Sequence, residues 1–295
     1  MDRTTSASEV LREARRRLTA AGVSSPDLDA ALLLAEVLGV RRERLALDPD
    51  RTLSDESVAR FGTFLTERAK RVPMAHILGR AEFWSLEFRV TKDTLSPRPE
   101  TEMLVEEAVK ALRGVAAPVV VDIGTGTGCI AVAIAKEVQS ATVHAVDLSP
   151  AALAVARENV RRHGVEARVH LYEGDLFAPL AGLLGPGSVD VVVSNPPYVR
   201  RDEEFDPEIL HEPEMALFVD DVPAVYRRIA EGAAGFVRQR GALLVELPGA
   251  SSSSVVAAVA GSGDWTDLVT LRDLAGSPRI LSASRTHGLG ADPTH

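Results

Sequence analysis

A single cysteine, Cys129, stands among the 295 residues. That excludes an internal disulfide and any metal site built from several cysteines. The seven histidines are scattered, and none falls in an HxxxH or HExxH spacing, so no metal centre is expected. Nowhere do about 20 consecutive apolar residues occur, and the N-terminus has no uninterrupted apolar stretch of the kind that addresses a chain for export. The expectation is a cytoplasmic enzyme with no membrane partner. An excess of basic charge is missing too: 33 Lys and Arg stand against 42 Asp and Glu, a net charge of −9. No broad electrostatic case for nucleic-acid binding follows, and no direct nucleic-acid contact is expected. Arg15-Arg16-Arg17 and Arg41-Arg42 are local exceptions that read as solvated helix faces.

What is present is the balance of an ordinary soluble protein, 45% hydrophobic and 25% charged. The first 70 residues have helical periodicity. Val10, Leu11, Ala14 and Leu18 share one face, with Gly22 as C-cap. Ser25-Pro26-Asp27 opens a second helix whose stripe is Leu28, Ala31, Leu32, Ala35 and Leu38, ended by Gly39. Ser54 caps a third, with Val58, Phe61 and Leu65 facing inward. This small bundle carries no catalytic signature. Ala81–Val90 is partly alternating and aromatic-rich, the pattern of a hairpin. A helix follows over Thr101–Leu112, with Glu100 and Glu102 in its first turn, where negative charge suits the dipole.

From Pro118 onward, strand and helix patterns alternate. Strands are expected at Val119–Asp122, Thr142–Asp147, Ala167–Tyr172, Val189–Ser194, Ala242–Leu247, Leu268–Asp273 and Arg279–Ala283. Helices are expected at Cys129–Glu137, Pro150–His163, Val222–Arg238 and Val255–Ala260. The fold class is α/β, a mostly parallel Rossmann-like sheet with an antiparallel edge, joined to an N-terminal helical bundle. Expected domains are 1–72, a hairpin linker 73–98, a catalytic domain 99–284 and a frayed tail 285–295.

Two segments carry the chemistry. Val189–Ser194 reads as a buried strand, and Asn195-Pro196-Pro197-Tyr198 forces the chain out of the sheet, since proline supports neither further pairing nor a helix interior. Asn195 and Tyr198 then sit at a strand's carboxyl end, where open α/β sheets bind ligands. Asn195 offers an amide acceptor, Pro196 a carbonyl with no N–H beside it, and Tyr198 a flat ring; the group suits a planar nitrogen carrying N–H donors. The second segment, Asp122-Ile123-Gly124-Thr125-Gly126-Thr127-Gly128, follows a strand and starts a helix. Its G-x-G-x-G spacing, without a following Lys-Ser or Lys-Thr, departs from both the dinucleotide and the P-loop patterns. Asp147 ends the next strand and can accept both hydroxyls of a ribose, or it can serve as a helix N-cap, a role open also to Ser149. Asp175 closes the third strand as a candidate acceptor for an adenine amino group, with Leu176 and Phe177 flanking the base, or as a plain turn residue. Cys129 reads as a small buried residue.

With these segments the chain resembles class I S-adenosylmethionine-dependent methyltransferases. More narrowly, it resembles the HemK/PrmC-type peptide chain release factor glutamine methyltransferases. The narrower likeness rests on the helical domain, Pro73–Phe83, Pro97-Arg98-Pro99-Glu100-Thr101-Glu102, Asp122–Gly128, Asn195–Tyr198, Glu212-Pro213 with Ala216-Leu217, Tyr226–Ile229 and Asp273–Gly276. The resemblance implies methyl transfer from S-adenosylmethionine, leaving S-adenosylhomocysteine, to the side-chain amide of glutamine in the Gly-Gly-Gln motif of a release factor. It implies that the helical domain recognises that substrate. It assigns Asn195, Pro196, Pro197 and Tyr198 to catalysis. To cofactor binding it assigns Asp122, Gly124, Thr125, Gly126, Thr127, Gly128, Asp147, Leu148, Asp175, Leu176 and Asn195. Arg98 and Glu100 are either a helix-start ion pair or a substrate contact.

Departures from the family pattern lie at Phe218-Val219-Asp220-Asp221, at Leu247-Pro248-Gly249-Ala250 with the serines that follow, and at Ser96. These positions bear on substrate-side loops and leave other readings open: the same chemistry on a small amide or another protein, an exocyclic base amine, or a non-catalytic scaffold. A base amine would call for base flipping and a basic surface.

Overall fold

The computed structural model describes residues 5–249 and 252–286. The chain divides into two compact units. One runs to Arg80 and takes in Phe205–His211; the other holds Ala81–Glu204 and everything from Glu212.

In the first unit, Ser6 caps α1 (Ala7–Ala20) in a capping box with Glu9. Two otherwise unpaired donors of the first turn are thereby satisfied. Pro26 fixes the first turn of α2 (Pro26–Leu38), and Gly39 ends it in a left-handed conformation at φ 61°. Two short helices, α3 (Glu43–Leu47) and α5 (Met74–Leu78), flank the long α4 (Asp55–Ala69), which Ser54 caps by accepting from the Ser57 amide. The apolar seam joins Val10, Ala14 and Leu18 to Leu33, Leu34, Phe61 and Leu65. Here α2 departs from the expected stripe. Ala30, Leu33 and Leu34 are buried together with Asp29, whereas Leu28 is exposed. The leucine-rich run supports two helical phases, and an ion pair selects between them. Arg68 of α4 donates to Asp29 at 2.7 Å, to Glu208 at 2.9 Å and to the Val72 carbonyl at 3.1 Å. Arg71 holds the same Glu208 carboxylate through two nitrogens. Burial pushes Glu208's carboxyl up, but these guanidinium hydrogen bonds outweigh it and leave it below its ordinary value.

The second unit opens on the hairpin β1 (Arg80–Phe83) and β2 (Leu86–Arg89), whose turn residues Trp84 and Ser85 both have positive φ. A single 3₁₀ turn at Pro99–Thr101 leads into α6 (Glu102–Ala111). The main sheet follows from β3 (Val119–Ile123), β4 (Thr142–Asp147), β5 (Val169–Glu173), β6 (Val189–Ser194), β7 (Val237–Glu246), β8 (Trp265–Arg272) and β9 (Pro278–Arg285). Its order is β5-β4-β3-β6-β7-β9-β8, parallel from β5 to β7, with β9 and β8 antiparallel at the edge. Helices α7 (Cys129–Glu137), α8 (Pro150–Arg162), the short α9 (Glu214–Leu217), α10 (Val222–Ala234) and α11 (Ser252–Ala260) connect the strands. Every residue of β6 is buried, as an interior parallel strand requires. Its one charge, Asp190, is paired: it accepts from the Val119 amide at 2.8 Å and from Arg238 at 2.5 Å.

Helix α11 and strand β8 each begin three residues before the sequence expectation, and the largest difference lies between α10 and β7. Helix α10 stops at Ala234 rather than Arg238, and β7 starts at Val237 rather than Ala242. The register jumps from Val189↔Val237 to Val191↔Ala242, so residues 238–241 form a bulge. A side chain at Gly241 would strike Val237 and the Asp190 carbonyl, the usual meaning of a glycine inside a strand. At the other end, Arg285 closes β9 rather than beginning a tail, while 287–295 lie outside the described residues.

Arg68→Ala leaves Asp29 buried without its counter-charge. It is expected to destabilise the chain by about 3–5 kcal/mol, read as a fall in the urea unfolding midpoint at an unchanged slope.

Candidate active site

The parallel register brings the expected site residues together. Ile123 pairs with Val146 and with Ser194, Asp147 with Glu173, and Ser194 with Val245. Gly124, Asp147, Gly174, Asn195 and Glu246 therefore stand at the carboxyl ends of five adjacent strands. Between β3 and β6 the strand order reverses direction, and a cleft opens there, as in other open α/β sheets. Gly124, Gly126, Asp147, Leu148, Asp175, Leu176, Asn195, Pro196 and Pro197 all line it. Val225 and Ile229 of α10 form an apolar wall, and Met215 and Ala216 of α9 also border it.

The glycine loop folds through positive φ at Gly124 (74°), Gly126 (54°) and Gly128 (79°), values that residues with a Cβ rarely adopt. The amides of Gly124 and Thr125 both donate to the Val146 carbonyl, at 2.9 and 3.0 Å. At Gly128 a Cβ would crowd Ala156 of α8 at 3.3 Å. Asn159, fully buried on α8, locks the assembly from behind: its amide nitrogen donates to the carbonyls of Thr127 and Arg89, and its oxygen accepts from the Arg89 amide. Nothing in the helical pattern marked Asn159, since an isolated polar residue on an apolar helix face reads as ordinary.

Several residues expected to bind the cofactor lie behind the cleft lining. Asp122, Thr125 and Thr127 are buried and Gly128 packs on α8; none of the four lines the cleft. Asp122 Oδ2 accepts from the Thr125 hydroxyl at 2.7 Å, while Oδ1 has no hydrogen-bond partner among the described residues. Burial, reinforced by the nearby Asp147 charge, pushes the Asp122 carboxyl up to about 7. Asp147 does face the cleft. It accepts from the Gly126 amide at 2.8 Å and the Ser149 amide at 2.9 Å. Burial raises its pKa above the usual range. Ser149, not Asp147, caps α8 by accepting from Ala152.

Asp175 lines the cleft but is already ion-paired with Arg228 at 2.6 Å, both partners being exposed. Phe177 does not flank it. The ring is buried in the core, stacked on Phe236 at 5.6 Å and pressed against Gly232 of α10. Two aromatic residues on elements far apart in sequence find each other there, which local pattern does not reveal. Cys129 is buried, and burial pushes its thiol up to about 12, which suits a packing residue. Arg98 pairs with the buried Glu212 at 2.5 Å, and the Ser96 amide donates to the other oxygen of the same carboxylate.

Behind Asn195 lies a polar cluster that the sequence left unmarked. Asn195 Nδ2 donates to the Thr101 hydroxyl at 3.2 Å, and Thr101 donates to Glu246 at 2.6 Å. The Tyr198 hydroxyl donates to the other oxygen of Glu246 at 3.3 Å. Tyr198 thus sits behind the cleft lining rather than in it.

A family model described as the PrmC N-terminal domain matches residues 9–79, and one for the methyltransferase small domain matches 99–217. A release factor glutamine methyltransferase of Cereibacter sphaeroides is 43% identical over 94% of this chain and 98% of its own length. The chain belongs to the release factor glutamine methyltransferase family. The Deinococcus radiodurans protein of the same name is 39% identical over 95% of this chain and 99% of its own. Among solved structures, a release-factor-specific protein-(glutamine-N5) methyltransferase from Alicyclobacillus acidocaldarius is 28% identical over 65% of this chain and 94% of that one, at a TM-score of 0.38. In this family member, none of the described helices is long and apolar enough to cross a membrane.

The Asp122 carboxyl gives a pH signature. Its ordinary value is 3.8 and its value in the fold is about 7, so folding favours the neutral form. That contribution is complete below about pH 4 and is lost as pH rises through 7. Asp122→Asn should therefore gain on the parent as pH rises from 5 to 8, by about 2–3 kcal/mol, measured by urea unfolding across that range. A constant difference at all pH values would contradict the assignment.

Proposed function

We propose that the chain transfers a methyl group from S-adenosylmethionine to the side-chain amide nitrogen of glutamine in the Gly-Gly-Gln motif of a peptide chain release factor, in the cytoplasm. The observation that carries this reading is that Asn195, Pro196 and Pro197 line the same cleft as Gly124 and Gly126 of the glycine loop. A Cβ built on Gly124 would lie 3.9 Å from the Asn195 carbonyl.

The residues present fit such a donor. The Asp147 carboxylate suits a ribose diol, and Leu148 and Leu176 with Val225 and Ile229 offer apolar surface to a flat base. When bound, S-adenosylmethionine supplies an electrophilic methyl group on a positively charged sulfur. The protein's own task is the acceptor. An amide nitrogen is a weak nucleophile because its lone pair is delocalised into the carbonyl. Asn195 Oδ1 and the Pro196 carbonyl accept its two N–H bonds and fix it in line for attack. Alignment of this kind contributes roughly 7–11 kcal/mol to lowering a barrier. The same two oxygens stabilise the positive charge that grows on nitrogen. Pro197 keeps the segment stiff, because its φ is fixed and it has no donor of its own. The N-terminal helical unit holds the release factor.

The deciding experiment incubates the chain with methyl-labelled S-adenosylmethionine and a bacterial class 1 release factor. Label should appear on the Gly-Gly-Gln glutamine and vanish when that glutamine is replaced by alanine. No transfer, with cofactor binding intact, would overturn the proposal. Asn195→Ala should lower kcat about 10²–10³-fold, the scale of losing a fixed transition-state hydrogen bond, with the dissociation constant for S-adenosylmethionine changed no more than a few-fold. Asp147→Ala should do the converse, weakening cofactor binding by about 1.5–3 kcal/mol in a calorimetric titration. An unchanged dissociation constant would remove Asp147 from the ribose site.

A further inference from the structure

Glu246 is 1% exposed, yet its hydrogen-bond partners are two hydroxyls rather than a cation. A carboxylate buried against neutral partners is costly, and a leucine or glutamine would fill the end of β7 more cheaply. Groups held at such a cost concentrate at functional sites. The cluster's connectivity says what the cost maintains. A threonine hydroxyl has one proton. With Glu246 ionised, that proton is committed to the carboxylate, so the Thr101 oxygen can meet Asn195 only as an acceptor. The side chain of Asn195 then has to turn its NH₂ toward Thr101, which leaves Oδ1 for the other side. An asparagine without that constraint could present either end, and the two ends are opposite in hydrogen-bonding sense.

We propose that Thr101 and Glu246 are positioning residues that fix the amide of Asn195 with its oxygen toward the methyl acceptor. The inference rests on the reading of Asn195 as the acceptor of the substrate N–H. Neither Thr101 nor Glu246 lines the cleft, so both act through Asn195. The second Glu246 oxygen takes the Tyr198 hydroxyl, which ties both ends of the Asn195–Tyr198 segment to one carboxylate. Tyr226, from α10, donates to the Glu246 main-chain carbonyl at 2.6 Å and anchors the strand end.

The relay runs in this sense only while Glu246 is charged. Once protonated, the carboxyl can donate to Thr101, whose own proton is then free for Asn195, and the amide is allowed to turn round. The groups acting on Glu246 are Thr101 and Glu100 from the 3₁₀ turn before α6, Tyr198 from the segment after β6, Tyr226 from α10 and Arg279 from β9. Burial is the largest influence; Glu100 pushes in the same direction, and the carboxyl rises to about 7. Methyl transfer should therefore carry an acidic limb near neutrality that belongs to this cluster.

The test uses the full chain with labelled S-adenosylmethionine and a class 1 release factor, with kcat and KM measured from pH 5.5 to 8.5. Thr101→Val keeps the shape and removes the relay. It should lower kcat about 10–100-fold while the KM for the release factor and the cofactor dissociation constant stay within threefold. Thr101→Ser should return to within about threefold of the parent, which a packing role would not do. Glu246→Gln should flatten the acidic limb of kcat. Parent-like kcat in Thr101→Val, or an unchanged acidic limb in Glu246→Gln, overturns the inference. If Thr101→Val does not fold by circular dichroism, the Ser variant and the pH profile of Glu246→Gln decide alone. Transfer by the parent that is lost in Asn195→Ala but insensitive to these changes refutes the positioning role and spares the proposed function; absence of transfer by the parent refutes the latter.

Discussion

Everything at the site depends on the parallel pairing of β3 with β6. Ile123 lies beside Ser194, so the first residue after each strand is a neighbour of the other: the glycine loop on one side, Asn195 on the other. Neither half makes the cleft by itself. A slip of one residue would turn each strand's side chains to the opposite face and move the two exits apart by a strand rise. The buried valines of β6 hold that register, and Asp190 pins it at the far end by taking the Val119 amide. The sheet works as a ruler whose graduations are backbone hydrogen bonds.

The ruler extends beyond the central pair. Asp147, Gly174 and Glu246 arrive at the same edge because β4, β5 and β7 stay in register with their neighbours. Carboxylates gather there, and burial raises the pKa of Asp122, Asp147 and Glu246 alike. Strand ends deliver the chemistry, and Asn159 on α8 keeps the loop from drifting off them.

How much of this could be read from residues alone follows from the range of the interactions. Glycines with an obligatory conformation, a proline pair and β-branched runs leave local marks. The strands, the loop at Gly124–Gly128 and the exit at Asn195 were legible for that reason, and the antiparallel edge followed from two strands close in sequence. The phase of α2 was not, since Leu28 and Leu33 are equally apolar and a partner on α4, Arg68, decides which face is buried. Phe177 was expected to flank the base together with Leu176; a ring contact with Phe236 takes it into the core instead. Thr101 and Glu246 lie 145 positions apart and meet only through the fold. Charged residues at strand ends are common, and no spacing rule distinguishes one that orients an asparagine.

Glu208 has a consequence for synthesis. The helical unit is discontinuous in sequence: Arg68 finds one carboxylate near the N-terminus, at Asp29, and shares another with Arg71, at Glu208 in Phe205–His211. A nascent chain emerges from its N-terminus onward, so the bundle reaches daylight early but stays electrically unfinished until β3, β4, β5 and β6 have all followed it out. The Arg71 guanidinium waits for a counter-charge more than 130 residues away. The last piece of the first unit is made after most of the second, and the two must mature as one translation product.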